Sequence, residues 1–130
     1  MTNPSRISTL GLLLNLDLYQ GASLPPIRHY LFNADGSPFD LTGCTIVGQI
    51  RKKSTDAAPT AAFDIFIAAN PLLGWYEFSM PAAAVAAIIG GDKITDIESL
   101  YEFGIKMTDT VPFVRSLLYG PVRIKTSNLP

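Results

Sequence analysis

The stretch of sequence that decides the fold runs from Asn33 to Lys53 and reads NADGSPFDLTGCTIVGQIRKK. Its Asp35-Gly36 pair is typical of a tight hairpin turn, because glycine tolerates the positive φ that such turns need. The residues from Asp40 to Gly43 predict a second bend, in which polar side chains bond the local backbone. From Cys44 to Arg51 the residues alternate between two faces, with the even-numbered residues on the inner one. The stretch therefore predicts two bends that lead into a strand with one buried face.

The same alternation extends in both directions along the chain and predicts six further strands. They cover residues 12–19, 27–32, 61–69, 74–80, 100–109 and 113–125. Gly120-Pro121 predicts a kink or a bulge in the last of them. Pro81 to Ile89 predicts a short helix, because a first-turn proline is followed by alanines and Gly90-Gly91 would end it.

These elements predict an all-β fold, an antiparallel Ig-like β-sandwich of about seven strands with one short inserted helix. The domain organisation follows from the same pattern. Residues 1–11 show little periodicity and predict a flexible N-terminal arm, and residues 12–130 predict a single β-sandwich domain.

Composition argues against several classes of function. The chain has 130 residues, a net charge of −1, 16% charged residues and 48% hydrophobic residues. A near-neutral chain lacks the basic stripe of a nucleic-acid-binding protein, and the clustered Arg51, Lys52 and Lys53 point to alternating faces. The longest apolar run is too short for a membrane span, and the polar N-terminus does not match a signal peptide. Cys44 is the single cysteine, which suits folding in a reducing cytoplasm without an internal disulfide.

Residues that could perform catalysis have plainer explanations. His29 is the single histidine and shares a strand face with apolar neighbours, so it is expected to pack or to lie at an edge. The acidic group Asp92, Asp96 and Glu98 does not match a calcium loop, and Gly90-Gly91-Asp92-Lys93 lacks the context of a phosphate-binding loop. Cys44 is expected to be a small buried hydrophobe. The sequence therefore predicts no enzyme activity, no metal and no cofactor.

Two segments of the chain resemble β-sandwich modules found in the virions of tailed bacteriophages. The first is the Asp40-Leu41-Thr42-Gly43 bend with the strand that ends at Arg51, and the second is the closing hairpin, from Tyr101 to Ile124. The stretches from Leu18 to Ser23 and from Gly74 to Pro81 fit the same pattern. The resemblance covers residues 12 to 126. The Asp109-Thr110-Val111-Pro112 turn departs from it, since an Asp-Gly type turn is usual at that position.

The resemblance implies a non-enzymatic structural protein of the virion, made in the host cytoplasm. A separate module with a loose arm favours a capsid cement or decoration protein that docks on the major capsid protein, as a symmetric homo-oligomer. The alternative is a tail, baseplate or tail-fibre adaptor. Neither role involves nucleic acid or a membrane. The candidate contact residues lie in the arm and the helix: Ile7, Leu10, Val85, Ile88 and Ile89.

Two alternatives to these assignments remain. The helix from Pro81 to Ile89 could instead pack over an open end of its own sandwich. The whole module could also bind carbohydrate, with Trp75 and Tyr76 as stacking platforms, although neighbouring residues of a strand point to opposite faces and cannot form one platform.

Overall fold

The computed structural model describes residues 12–19, 21–52, 60–89 and 101–125. Over these residues the chain is an all-β protein with two sheets and one short helix. The strands are β1 (Leu12–Leu13), β2 (Leu16–Tyr19), β3 (Leu24–Tyr30), β4 (Thr45–Lys52), β5 (Ala61–Ala62), β6 (Asp64–Ile67), β7 (Trp75–Met80), β8 (Tyr101–Thr108) and β9 (Val114–Lys125). A short 3₁₀ helix covers Pro71–Leu73, and α1 covers Ala82–Ile89.

The larger sheet has the strand order β1-β9-β8-β4-β5, with β2 also paired to β9, and the smaller sheet has the order β3-β7-β6. Most pairs are antiparallel, but β1 and β2 run parallel to β9, with Leu12 opposite Leu118 and Leu16 opposite Val122. The expected wholly antiparallel arrangement is therefore wrong at this edge. It follows that the first described strands are held by the last described strand, β9.

The described residues form nine strand segments, because two of the predicted strands are each divided. The predicted strand at 12–19 breaks between β1 and β2. The predicted strand at 61–69 changes sheet at Phe63, so that β5 pairs with β4 and β6 pairs with β7. The ring of Phe63 fills the space between the sheets, with centroids 5.4 Å from Phe78 and 6.0 Å from Phe103.

The hydrophobic core lies between the inner faces of the two sheets. The even-numbered residues of β4 up to Ile50, the even-numbered residues of β7 and the odd-numbered residues of β8 are buried, as alternation predicts. Gly48 leaves room for Phe63, since a Cβ on this glycine would lie 2.8 Å from Phe63 Cδ2. The bulge in β9 falls at Leu117, between the Leu118–Ile105 and Ser116–Lys106 pairs, and not at Gly120-Pro121.

Helix α1 connects β7 to the segment that precedes β8 and packs on the core. Val85 is fully buried and Ile88 is 4% exposed. The Tyr101 hydroxyl donates to the Ile88 carbonyl at 3.3 Å, which fixes the helix to β8. Neither this helix nor any other helix among the described residues is long and apolar enough to cross a membrane.

Candidate docking surfaces

Three loops meet at one end of the two sheets. They cover residues 31–44, 68–74 and 109–113. Each loop joins two strands, and the strand ends next to the loops pair with one another at the same end of the sheets. The Leu41 amide donates to the Pro71 carbonyl at 3.0 Å, so the first two loops are hydrogen bonded to each other. The three loops therefore form one surface.

The first and third loops also touch. Gly43 has a φ of 74°, and a Cβ added to it would lie 2.6 Å from Thr110 Cγ2. Only glycine satisfies both the left-handed backbone and this close approach without strain. The contact sets the distance between the bend that follows Asp40 and the turn between β8 and β9.

Carboxylates hold two of these loops in shape. Asp109 accepts the Val111 amide at 3.0 Å and the Phe113 amide at 2.9 Å, and Arg115 lies 3.4 Å from its second oxygen. The hydrogen bond from the Phe113 amide is the main cause that lowers the pKa of Asp109. Asp40 holds its bend in the same way, because it accepts the Thr42 amide at 2.9 Å. Ordered loops lose little conformational entropy when a partner binds them.

These fixed loops present apolar side chains to solvent. Large hydrophobic residues at this end are between 49% and 64% exposed. They are Leu72, Leu73, Val111, Phe113 and Val114. We call this set the apolar loop end. Scattered exposed hydrophobic residues are ordinary, but several of them on ordered backbone at one end of the sheets are typical of a docking surface.

The outer face of the larger sheet carries a second surface. A groove of about 460 Å³ crosses the middle of this face and is lined by apolar, aromatic and charged side chains. Gly104 lies at its centre, between Tyr119 of β9 and Gln49 of β4, and Leu13 and Val47 lie at its borders. We call this surface the sheet groove.

The outer face of the smaller sheet is rich in aromatic residues. Tyr30 and Phe32 are stacked with centroids 6.4 Å apart, and Phe66 lies 6.1 Å from Trp75. The Arg28 guanidinium covers the Trp75 ring at 3.5 Å and pairs with Glu77 at 2.9 Å. We call this surface the aromatic face.

The predicted contact residues are not at these surfaces. Val85 and Ile88 belong to the core, so their side chains are not presented to a partner in this fold. One side of the helix packs on the core while Ala83 and Ala87 are exposed, which agrees with the packing role given above as the alternative for this helix. Ile89 lies at the end of α1, but its side chain is outside the described part, as are Ile7 and Leu10 in the predicted arm.

The residues considered for catalysis occupy structural positions. His29 Nδ1 lies 2.8 Å from the Tyr76 hydroxyl in the partly buried space beneath β3 and β7. Cys44 is half-buried against the core, and burial raises the pKa of its thiol. Among the described residues no group of three or more His, Cys, Asp or Glu side chains could hold a metal ion. The acidic group of residues 92–98 lies outside the described part.

The carbohydrate platform suggested by Trp75 and Tyr76 does not exist as a pair. Tyr76 is fully buried, and Trp75 is half-buried beneath Arg28.

The loop residues Val111 and Phe113 were not expected as contacts, although the sequence carries a signal for them. A turn made of Val-Pro-Phe in place of polar residues is unusual for a solvent-exposed connection.

No protein-family model matches the chain, and no curated protein matches it in sequence.

Proposed function

We propose that this chain is a non-enzymatic structural protein of a tailed-bacteriophage virion, which docks on the major capsid protein as a cement or decoration protein. The apolar loop end is the docking surface. The resemblance of the Asp40–Gly43 bend and of the closing hairpin to virion modules supports the class of protein. The alternative is an adaptor in the tail, baseplate or tail fibre, which would use the same surface on another virion protein.

The observation that carries the proposal is the exposure of apolar side chains on hydrogen-bonded loops. Phe113 is 64% exposed, while Asp109 fixes its backbone by accepting the amides of Val111 and of Phe113 itself. A protein that acts alone in solution gains nothing from an ordered apolar surface, whereas an assembly protein buries it against a neighbour. Large aromatic side chains at the centre of an interface supply much of its binding energy.

We propose further that the fold is Ig-like, and the strand order supports this. In variable-type Ig domains, with the main strands counted along the chain, the last two strands lie in one sheet with the third strand and the extra strand that follows it. The second, fourth and fifth main strands form the other sheet. Here β9-β8-β4-β5 and β3-β7-β6 follow that order. In such domains the loops at one end of the sandwich are the usual recognition surface.

The experiment compares two matched variants on virus particles. Particles of the phage whose genome carries the gene are stripped of this protein and mixed with purified wild-type chain, Phe113→Glu or Phe66→Glu. Both phenylalanines are more than half exposed, but Phe66 lies on the aromatic face. The proposal predicts that wild type and Phe66→Glu sediment with the particles, whereas Phe113→Glu loses at least tenfold in affinity, because a charge is desolvated in an apolar contact.

Equal binding of the two variants would overturn the role of the apolar loop end. Binding to isolated tails and not to heads would replace the capsid assignment by the adaptor assignment. Circular dichroism of both variants serves as the folding control, because each substitution is at an exposed position.

A carbohydrate-binding role has one observation in its favour, which is the aromatic face. Tyr30 and Phe32 are about half exposed and nearly parallel, as a sugar platform requires, and Arg28 with Glu77 offers polar groups beside them. A glycan array tests this second candidate. Specific binding that Tyr30→Ala abolishes and Phe113→Glu preserves would favour it over the assembly role.

A further inference from the structure

Two of the three charged residues that line the sheet groove lie symmetrically about one glycine, and the third, Arg51 of β4, lies opposite Glu102. Glu102, Gly104 and Lys106 share the outer face of β8, with one inward-pointing residue between each pair. At about 3.3 Å per residue, the two charges lie roughly 7 Å on either side of Gly104. Neither Glu102 nor Lys106 makes an ion pair with any residue that the structure describes.

Gly104 leaves the centre of this face open. A Cβ added to Gly104 would meet no atom within 4 Å, so the backbone of β8 can be approached closely from outside. Tyr119 and Gln49 stand on the two sides of this gap, and Leu13 continues the row beyond Tyr119. Tyr119 is 42% exposed and Val47 is 57% exposed, which gives the face an apolar part between its charges.

We infer that a second copy of this chain packs face to face on the sheet groove. The two copies are related by a twofold axis that lies between the two facing sheets, passes over Gly104 and runs perpendicular to the strands. In this arrangement β8 of one copy lies antiparallel over β8 of the other. Glu102 of each copy then faces Lys106 of its mate, and the two glycines meet at the centre. A twofold interface requires this reciprocity, because each contact occurs twice.

The charges of Glu102 and Lys106 favour this axis over the other one that is available. A twofold axis along the strand direction would place Glu102 over Glu102 and Lys106 over Lys106. Like charges brought together at an interface cost free energy, whereas the axis across the strands forms two opposite-charge pairs. The inference goes beyond the proposed docking of the apolar loop end, because it concerns another surface and another copy of the same chain.

The size of the face sets the strength of the pairing. Strands β4, β8 and β9 have eight or more residues and lie about 4.8 Å apart, while β1, β2 and β5 are short, so the face covers roughly 500 Å². Stable interfaces bury about 800 Å² per partner, so this dimer belongs to the weak end of the range. A dissociation constant in the micromolar range is expected, with dimers dominating where many copies are brought close together.

Charge reversal tests the geometry. Sedimentation velocity is measured over a concentration series for the full chain, for Glu102→Lys, for Lys106→Glu and for an equimolar mixture of the two variants. The wild type is expected to dimerise. Each single variant turns two attractive pairs into two repulsive pairs and is expected to weaken dimerisation by about tenfold or more. The mixture is expected to form a heterodimer near wild-type affinity. In that heterodimer the two substituted side chains face each other with opposite charges, and the unchanged Lys106 of one variant faces the unchanged Glu102 of the other.

A steric variant gives a second and independent readout. Gly104→Arg has room in the free chain and should fold, but it should abolish dimerisation by filling the central gap. Monomeric wild-type chain throughout the series would overturn the inference. So would dimers that neither the single reversals nor Gly104→Arg weaken. Phe113→Glu should dimerise normally, so a failed capsid docking and a failed dimer are told apart.

Discussion

At the scale of single residues, two kinds of ionisable group have different effects on the fold. Asp40 accepts the Thr42 hydroxyl and amide, and Asp109 accepts the Phe113 and Val111 amides. These hydrogen bonds hold two exposed bends and lower the pKa of both carboxyls below 3.8. Their stabilisation is therefore present above pH 3.8 and is lost only in stronger acid. His29 lies in a partly buried space against Tyr76, and burial lowers the pKa of its imidazole below 6.5.

His29 should make the fold sensitive to mild acid. Because the unfolded chain binds the proton more readily than the folded chain, the free energy of unfolding should be at its full value above pH 6.5 and should fall as the pH drops through the lower folded-state pKa. Urea denaturation at pH 7.5 and pH 5 measures this loss. The variant His29→Gln should show a smaller difference between the two pH values, since the chain has one histidine. An unchanged difference would show that another group is responsible.

At the scale of elements, the parallel contact between the first strands and β9 depends on a close backbone approach. The Leu14 amide donates to the Tyr119 carbonyl at 2.9 Å, and Asp17 pairs with Arg123 at 3.0 Å. Next to Tyr119, a Cβ placed on Gly120 would lie 2.0 Å from the Leu14 carbonyl oxygen. The glycine therefore permits the edge of the larger sheet to close.

Gly120→Ala should break this contact. We expect a loss of about 2 kcal/mol or more in the free energy of unfolding, because backbone atoms cannot move aside as a flexible side chain can. Gly104→Ala is the matched control and should change the free energy by about 0.5 kcal/mol or less, since its Cβ would enter open space. Equal effects in denaturant unfolding would contradict the parallel contact.

The helix should behave as part of the core. Val85→Ala removes fully buried methyl groups, and we expect it to cost about 2 kcal/mol. Val47→Ala makes the same change at a side chain that is 57% exposed and should cost about 0.5 kcal/mol or less. If Val85→Ala left stability unchanged and instead weakened particle binding, the helix would be a docking element after all.

Alternation along the chain predicted the inner faces of β4, β7 and β8, because burial of one sheet face imposes a period of two residues. It could not predict which strand pairs with which, so the parallel contact of β1 and β2 with β9 was missed. Alternation could not predict that Val85 is buried in the core either. A short apolar helix has the same sequence pattern whether it packs on its own core or docks on a partner. The apolar loop end was missed because Val111-Pro112-Phe113 occupies a turn, where the side chains follow no period.

At the scale of the whole molecule, the two proposed contacts use different sides of one rigid frame. The apolar loop end lies at the ends of the strands, and the sheet groove lies on the flank of the larger sheet. A chain with this layout can pair with its own copy and hold a capsid protein at the same time. Weak pairing is sufficient for such a role, because copies fixed on one particle have a high effective concentration.

Quantitative mass spectrometry of purified virions tests the central claim most directly. Particles of the phage that carries the gene are banded on a density gradient, and peptides of this chain are counted against those of the major capsid protein. The account predicts that the chain remains with intact heads, in a fixed and reproducible ratio to the capsid protein. Its absence from banded particles, with the protein found only in the lysate, would contradict the assignment as a virion structural protein.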